Sequence, residues 1–218
     1  MQHRGHLSVL ILICLLPIVS YAQVNIKSGY NFSVPSSEGL NLIIEERNRQ
    51  AGYTDAFSKI QWMHGLEAGL RLKGGVHAVE LSYQGAYQSL KAKRELANET
   101  YDDKLKTSIH AIALGYQAGE GLFGLGLDFQ YQFHRIRFED ELGETSFQDV
   151  QSIGALKPYL MLTLSGSGNV DMAVQPYGVF PLKSFDYSAL QNHLGTAVSS
   201  PSEKWIRLGV TVLFYNGG

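Results

Sequence analysis

The sequence predicts an all-β protein: an eight-stranded antiparallel up-and-down transmembrane β-barrel with a short helix in its first outer loop. Three observations carry that expectation. The chain opens with an export signal. Apolar and polar residues then alternate through one segment after another. The connections between those segments alternate between short and long.

A basic stretch at Arg4, flanked by His3 and His6, leads into an apolar run from Leu7 to Val19 and then into Ser20-Tyr21-Ala22. A basic head, an apolar middle and small residues three and one positions before Gln23 make a secretory signal peptide. The apolar run is shorter than the ~20 residues of a membrane-spanning helix. Cleavage before Gln23 is expected, which divides the chain into a signal peptide (1–22) and one outer-membrane barrel domain (23–218). Cys14 is the only cysteine, and Ile13 before it does not suit lipidation. The mature chain then holds no thiol for a disulfide, a metal or a nucleophile. A formal net charge of −2 at pH 7 implies no nucleic-acid partner. No later run reaches the ~18 consecutive apolar residues of a helical span.

Successive side chains of a strand point to opposite faces, so a period of two marks each strand. It is clearest from Leu122 to His134. One face reads Phe123, Leu125, Leu127, Phe129, Tyr131, Phe133, and the other Gly124, Gly126, Asp128, Gln130, Gln132, His134. The last strand sets Ile206, Leu208, Val210, Val212 and Phe214 against Arg207, Gly209 and Thr211, with Leu213 as an exception. Similar alternation runs through the second strand (Leu66 to Leu72), the third (Val79 to Gln88) and the sixth (Leu156 to Leu164). Weaker first, fourth and seventh strands begin near Val24, Lys106 and Val170. Each is long enough for the ~9–11 residues of a tilted spanning strand. Pro158 and Pro176 fall within strands six and seven, so a bulge or strand end is expected near them.

The links Lys73–His77, Ala118–Gly121 and Ser165–Asn169 are short and glycine-rich. The links Pro35–Ile60, Arg94–Asp103, Asp140–Ser146 and Asp186–Ser202 are longer and more polar. Outer-membrane barrels place short turns on the periplasmic side and long loops outside. An even strand count then puts both termini on the periplasmic side.

The apolar face carries too many aromatics and leucines for the interior of an eight-stranded barrel, which side chains only just fill. It is therefore expected to face lipid, with glycines, alanines and polar residues inside. The inward set then includes Lys27, Glu67, Arg71, Glu80, Asp128, Lys157, Asp171 and Arg207, four cations and four anions. Unpaired burial costs several kcal/mol per ion, so these should pair across the lumen as a closed polar plug. Aromatics near strand ends (Trp62, Tyr83, Tyr87, Tyr116, Phe123, Trp205 and Tyr215) are expected to form interfacial girdles. Trp205 points inward by parity.

The segments VNIKSGYNFSV (Val24–Val34), GLNLIIEERNRQAGY (Gly39–Tyr53), HGLEAGLRLKGG (His64–Gly75) and KWIRLGVTVLFYNGG (Lys204–Gly218) resemble the PorT-like outer-membrane β-barrel family. The likeness is one of architecture and texture across nearly the whole mature chain. It brings no catalytic motif. Some members of that family serve in protein secretion, and most have no defined role. Phe214 and Tyr215 are followed here by Asn216-Gly217-Gly218, a departure from the terminal aromatic of many outer-membrane barrels.

Gly119-Glu120-Gly121-Leu122-Phe123-Gly124 matches the dinucleotide fingerprint, but a strand follows where a helix N-terminus would be needed, so a hairpin turn is expected. His134, Arg135, Arg137, Glu139, Asp140 and Ser146 cluster near the outer end of strand five. A hydrolase or acyltransferase there would need a convergent geometry that spacing cannot supply. The seven histidines are scattered, which gives metal binding little support. Asn98-Glu99-Thr100 is read as a chance sequon match. Leu40, Ile43, Ile44 and Arg47 recur at helical spacing within the first outer loop. They form an amphipathic stripe that either packs on the barrel mouth or docks a partner protein.

These readings lead to a non-enzymatic barrel in the outer membrane of a Gram-negative bacterium. Its expected role is structural or partner-binding through extracellular loops, with no open pore. No catalytic, cofactor or metal residues and no cofactor are expected. The partners foreseen are outer-membrane lipid and an envelope protein at loop 35–60. Two alternatives stay open: a barrel enzyme acting on lipid or peptide at the outer rim, and a soluble periplasmic barrel binding an apolar ligand.

Overall fold

The computed structural model describes residues 23–141, 146–164, 170–199 and 202–216. The expected signal peptide and the Ser165–Asn169 turn lie outside them. The elements are β1 (Gln23–Pro35), α1 (Glu38–Ala51), β2 (Met63–Gly74), β3 (His77–Leu96), β4 (Glu99–Glu120), β5 (Phe123–Glu139), β6 (Ser146–Leu164) and β7 (Val170–Pro181). They continue with β8 (Phe185–Asp186), α2 (Ser188–Leu194), β9 (Ser202–Glu203) and β10 (Arg207–Asn216). Strands β1 to β7 and β10 form one closed antiparallel barrel, each paired with its neighbour in the chain and β1 with β10. Closure leaves these strands no free edge, as a sheet in lipid requires. β8 and β9 make a separate two-residue ribbon.

Parity decides what each face meets. Phe123, Leu125, Leu66 and Leu208 point outward and are 62–69% exposed, while Lys27, Glu67, Glu80 and Lys157 point inward at no more than 2%. A soluble barrel would show the reverse, so the apolar-ligand alternative is not what folds. Side chains of this size each forgo about 1.5–3 kcal/mol if left in water. The outer face therefore demands an apolar solvent.

The chemistry inverts further out along the same strands. On β5 the outward residues change after Phe133 to Arg135 and Arg137, while the inward ones change to the buried Ile136 and Phe138. On β4, Lys104 and Lys106 face out and Leu105 and Ile109 face in. On β3, Lys91 and Lys93 face out and Leu90 and Ala92 face in. The crossover follows the hydrogen-bonded row Tyr87–Ser108–Arg135. Below it the barrel is apolar outside and polar inside. Above it the three strands form a water-soluble wall.

That wall corrects one sequence expectation. Arg94–Asp103 is not a loop: Lys93 pairs Asp102 and Arg94 pairs Tyr101, and β4 begins at Glu99 rather than near Lys106. The turn is only Ala97-Asn98, both at positive φ (51° and 67°), as a two-residue type I′ hairpin requires. Polar residues outside the membrane had looked like loop although their alternation persists.

The prolines also behave differently from expectation. Register runs unbroken past Pro158 on the β5 side and past Pro176 on the β10 side, with no bulge. Both interrupt the pairing along one shared seam, β6 against β7, at constant register. In the girdle, Trp62, Tyr83, Tyr87, Tyr116 and Phe123 are outward and 43–69% exposed. Trp205 is fully buried, and Tyr215 is buried too, because it shares inward parity with Arg207 and Thr211.

Histidines on the outer face have tyrosine partners. His64, His110 and His77 lie 2.5–2.6 Å through Nδ1 from the hydroxyls of Tyr30, Tyr83 and Tyr116. Each pair satisfies two polar groups that lipid could not.

Candidate functional site

The lumen is packed around Lys27. Its Nζ lies 2.8 Å from Glu67 Oε1 and 2.5 Å from Glu80 Oε2. Lys157 Nζ, from the far wall, lies 3.3 Å from Glu67 Oε2 and 3.7 Å from Asp128 Oδ2, and donates to Gln175 Oε1 at 3.2 Å. Arg71 Nε lies 3.2 Å from Glu80 Oε1, and its Nη2 donates to Gln117 at 3.0 Å. Tyrosine rings complete the packing, with Tyr177 under Lys157 and Tyr215 under Arg71. One network thus ties β1, β2, β3, β5 and β6 across the barrel.

Inward glycines make room for it. A Cβ at Gly126 would fall 2.0 Å from the Tyr159 ring, and one at Gly115 would fall 2.1 Å from Asp128 Oδ1. The glycines of the dinucleotide-like motif serve the hairpin and its close strand packing. Gly121, at φ 61°, turns the β4–β5 hairpin, and a Cβ at Gly124 would strike Gln117.

Six of the eight expected lumen charges therefore meet, and two do not. Asp171 is half-buried beside the register partner Tyr215, at the end of the barrel where β1 begins and β10 ends. Arg207 is buried at the opposite end, opposite Pro35 and Val179, without an ion pair among the described residues. Parity put both on the inner face, but their height on the strand keeps them out of the network.

The outer mouth is closed by protein. Leu40, Ile43 and Ile44 of α1 are at most 2% exposed, in one cluster with Leu90, Leu105, Ile136, Phe138, Phe185 and Trp205. Arg47 lies over the Phe138 ring. The stripe expected on this helix is thus occupied by the barrel mouth, and what α1 shows to solvent is Glu38, Leu42, Glu45, Arg49 and Gln50.

Three groups of hydrogen bonds that the sequence does not foretell hold this cap. Glu203 accepts from the backbone N–H groups of Gly39 (2.8 Å) and Leu40 (3.1 Å) and from Trp205 Nε1 (2.7 Å), supplying from β9 the cap that Ser37 does not. Asn41 and Asn48, one helical face apart by seven residues, each exchange two hydrogen bonds with the returning chain, at Ile60 and Phe57. Asp103 accepts from Tyr53 Oη at 2.5 Å and, with Asp140, from Arg94. An asparagine pair at i, i+7 beside the apolar stripe was the one available sign.

The polar residues at the outer end of β5 do not converge. His134 points inward, 2.9 Å from Thr107 Oγ1, with its ring among Phe185, Trp205 and Tyr187. Arg135, Arg137 and Glu139 point outward. No carboxylate orients the imidazole among the described residues, and none of those residues form a metal-ligating group of three.

The interior offers little space. Between Asn31, Gln84, Tyr177 and Arg207 lies a cavity of about 10 Å³, room for no more than one water molecule. A recess of about 320 Å³ bounded by Arg71, Lys73, Gln117, Asp171 and Tyr215 opens at the end where β1 begins and β10 ends.

Comparisons with protein-family models and with curated proteins each find no match. Among solved structures the chain is similar to Ail, the attachment invasion locus protein of Yersinia pestis, in complex with the heparin analogue sucrose octasulfate. Identity is 11%, the TM-score 0.49, and the likeness covers 89% of this chain and 96% of that one. Neisserial surface protein A (NspA) is 8% identical at a TM-score of 0.43, covering 90% of this chain and 99% of the other. The barrel assignment rests on this chain's own closed hydrogen-bonded ladder.

Proposed function

We propose that this protein is a non-enzymatic barrel of a Gram-negative outer membrane, exported after cleavage before Gln23, with no open pore. It would act structurally or by binding partners through its outer surface. The observation that carries this reading is the polarity inversion at Tyr87–Ser108–Arg135. A single set of strands is built for lipid below that row and for water above it. The absence of a pore is supported by the Lys27-centred plug beneath a mouth filled by Trp205, Phe185 and α1. The non-enzymatic reading is favoured by His134, whose imidazole meets aromatic rings rather than a carboxylate and a nucleophile. The resemblance to PorT-like barrels fits this assignment without defining a role.

An envelope protein meeting loop 35–60 would contact the solvent side of α1, at Leu42, Glu45 and Arg49. Membrane fractionation combined with heat-modifiable gel mobility tests the proposal. Recovery in the outer membrane with a faster unheated band is expected. Recovery in the soluble periplasm would overturn it.

A further inference from the structure

We propose that the outward recess bounded by Lys106, Arg135 and Arg137 binds the phosphate group of an outer-leaflet lipid headgroup. The inference rests on the membrane placement above and adds a site to it.

The recess measures about 370 Å³ and lies on the outside of the wall, not in its mouth. Tyr87 lines it, and Ser89 and Ser108 add two hydroxyls beside the three cations. Its height is what identifies the occupant. Tyr87 and Ser108 lie on the row where the outer face turns from apolar to charged, and the Tyr87 ring packs tilted against His64, with centroids 4.2 Å apart, at the top of the apolar belt. A phosphate there would be covalently tied to acyl chains lying against Leu81, Tyr83 and Ile112 below. A soluble anion would gain nothing from that belt.

Local charge balance points the same way. From the row upward, the outer face of β3, β4 and β5 carries six cations, Arg135 on the row included, against three carboxylates, Glu95, Asp102 and Glu139. Glu139 is shared between Lys106 (2.8 Å) and Arg137 (2.9 Å). Arg135 has no carboxylate within ion-pair distance among the described residues. Lys91 stands directly opposite Lys104, and Lys106 opposite Arg137. Like charges facing each other across strands are destabilising; the one carboxylate Glu139 answers Lys106 and Arg137 but leaves Arg135, so a phosphate in the recess would supply the missing negative charge. Arginine forks and serine hydroxyls are the donors a phosphate takes.

The test uses the full barrel purified in detergent, with native mass spectrometry reading retention of diphosphorylated lipid A against the same lipid with its phosphates removed. Folding is checked by heat-modifiable mobility. The wild type should retain the phosphorylated lipid roughly ten-fold better, the scale of one charge-assisted contact. The triple variant Lys106→Gln/Arg135→Gln/Arg137→Gln should lose that preference, and Lys59→Gln/Lys183→Gln should keep it. If the triple variant does not fold, Arg135→Gln decides, because Arg135 gives up no protein ion pair, and it should weaken retention severalfold. Inositol hexakisphosphate is the soluble arm. Binding of this probe that equals lipid retention and falls with the same variants would make the site one for free polyanions and overturn the lipid assignment. A barrel that fractionates to the outer membrane yet shows no preference between the two lipids sinks this inference alone. A chain found in the periplasm sinks the membrane reading first.

Discussion

Lys157 Nζ lies 3.3 Å from Glu67 Oε2, joining β6 to β2 across a lumen in which neither side chain is exposed. Removing one partner of such a pair leaves a charge uncompensated in a medium that solvates it poorly. Lys157→Met should cost about 3–5 kcal/mol in urea unfolding from micelles. The double variant Lys157→Met/Glu67→Gln should recover part of that loss. Additive losses would mean the two side chains do not depend on each other.

Gly126 and Tyr159 form a second inward fit. A methyl group at 126 would meet a ring that is itself buried against its neighbours. Gly126→Ala should destabilise by about 1–3 kcal/mol through overpacking. Replacing Tyr159 with leucine in the same chain should relieve it. The temperature at which the folded gel band disappears reports both changes.

Glu203 holds the start of α1 from another part of the chain. Glu203→Ala removes two backbone acceptor contacts and the Trp205 contact, a loss of about 0.5–2 kcal/mol by analogy with local caps. The expected signature is local: faster amide exchange at Gly39 and Leu40 and earlier proteolysis within 36–62, with the barrel's urea midpoint unchanged.

The small helix α2 should respond to acid. Asp186 accepts from Ser188 N–H (2.9 Å) and Oγ–H (2.6 Å), and these bonds hold its carboxyl below the usual range. A depressed folded pKa stabilises above the unfolded value of about 3.9 and is lost as pH falls through the folded one. Protection of α2 amides, corrected for the intrinsic pH dependence of exchange, should therefore be constant above that value and fall below it. Asp186→Asn should remove the step.

Leu127 tests the outer belt directly. It points outward midway between Phe123 and Phe133 on β5. Leu127→Arg should cost about 2–4 kcal/mol in refolding into lipid vesicles, the midplane penalty for a barrel surface. Lys91→Leu, above the crossover row, should leave vesicle refolding unaffected.

Much of this was legible in the residues themselves. The alternation of Phe123 to His134 sets both faces of β5, and the crowded aromatics on one of them indicate which face meets lipid. The inversion to Arg135, Ile136, Arg137, Phe138 was also written there. Polar residues outside a membrane look alike in strand and loop, so the pattern alone does not say how far the strands continue. The same ambiguity turned the Leu96–Glu99 hairpin into an expected loop.

By itself, the sequence determined the barrel, its strand number, the parity of nearly every side chain and the amphipathic stripe of α1. Those are local properties of a chain with a two-residue or 3.6-residue period. The tertiary structure alone decided that Lys27 meets Glu67 and Glu80, that Asp171 and Arg207 stay outside the network, and that Glu203 caps a helix more than 160 residues away in the chain. Those meetings depend on the register of every ladder around a closed sheet. A shift of one ladder by two residues keeps every face and changes every partner.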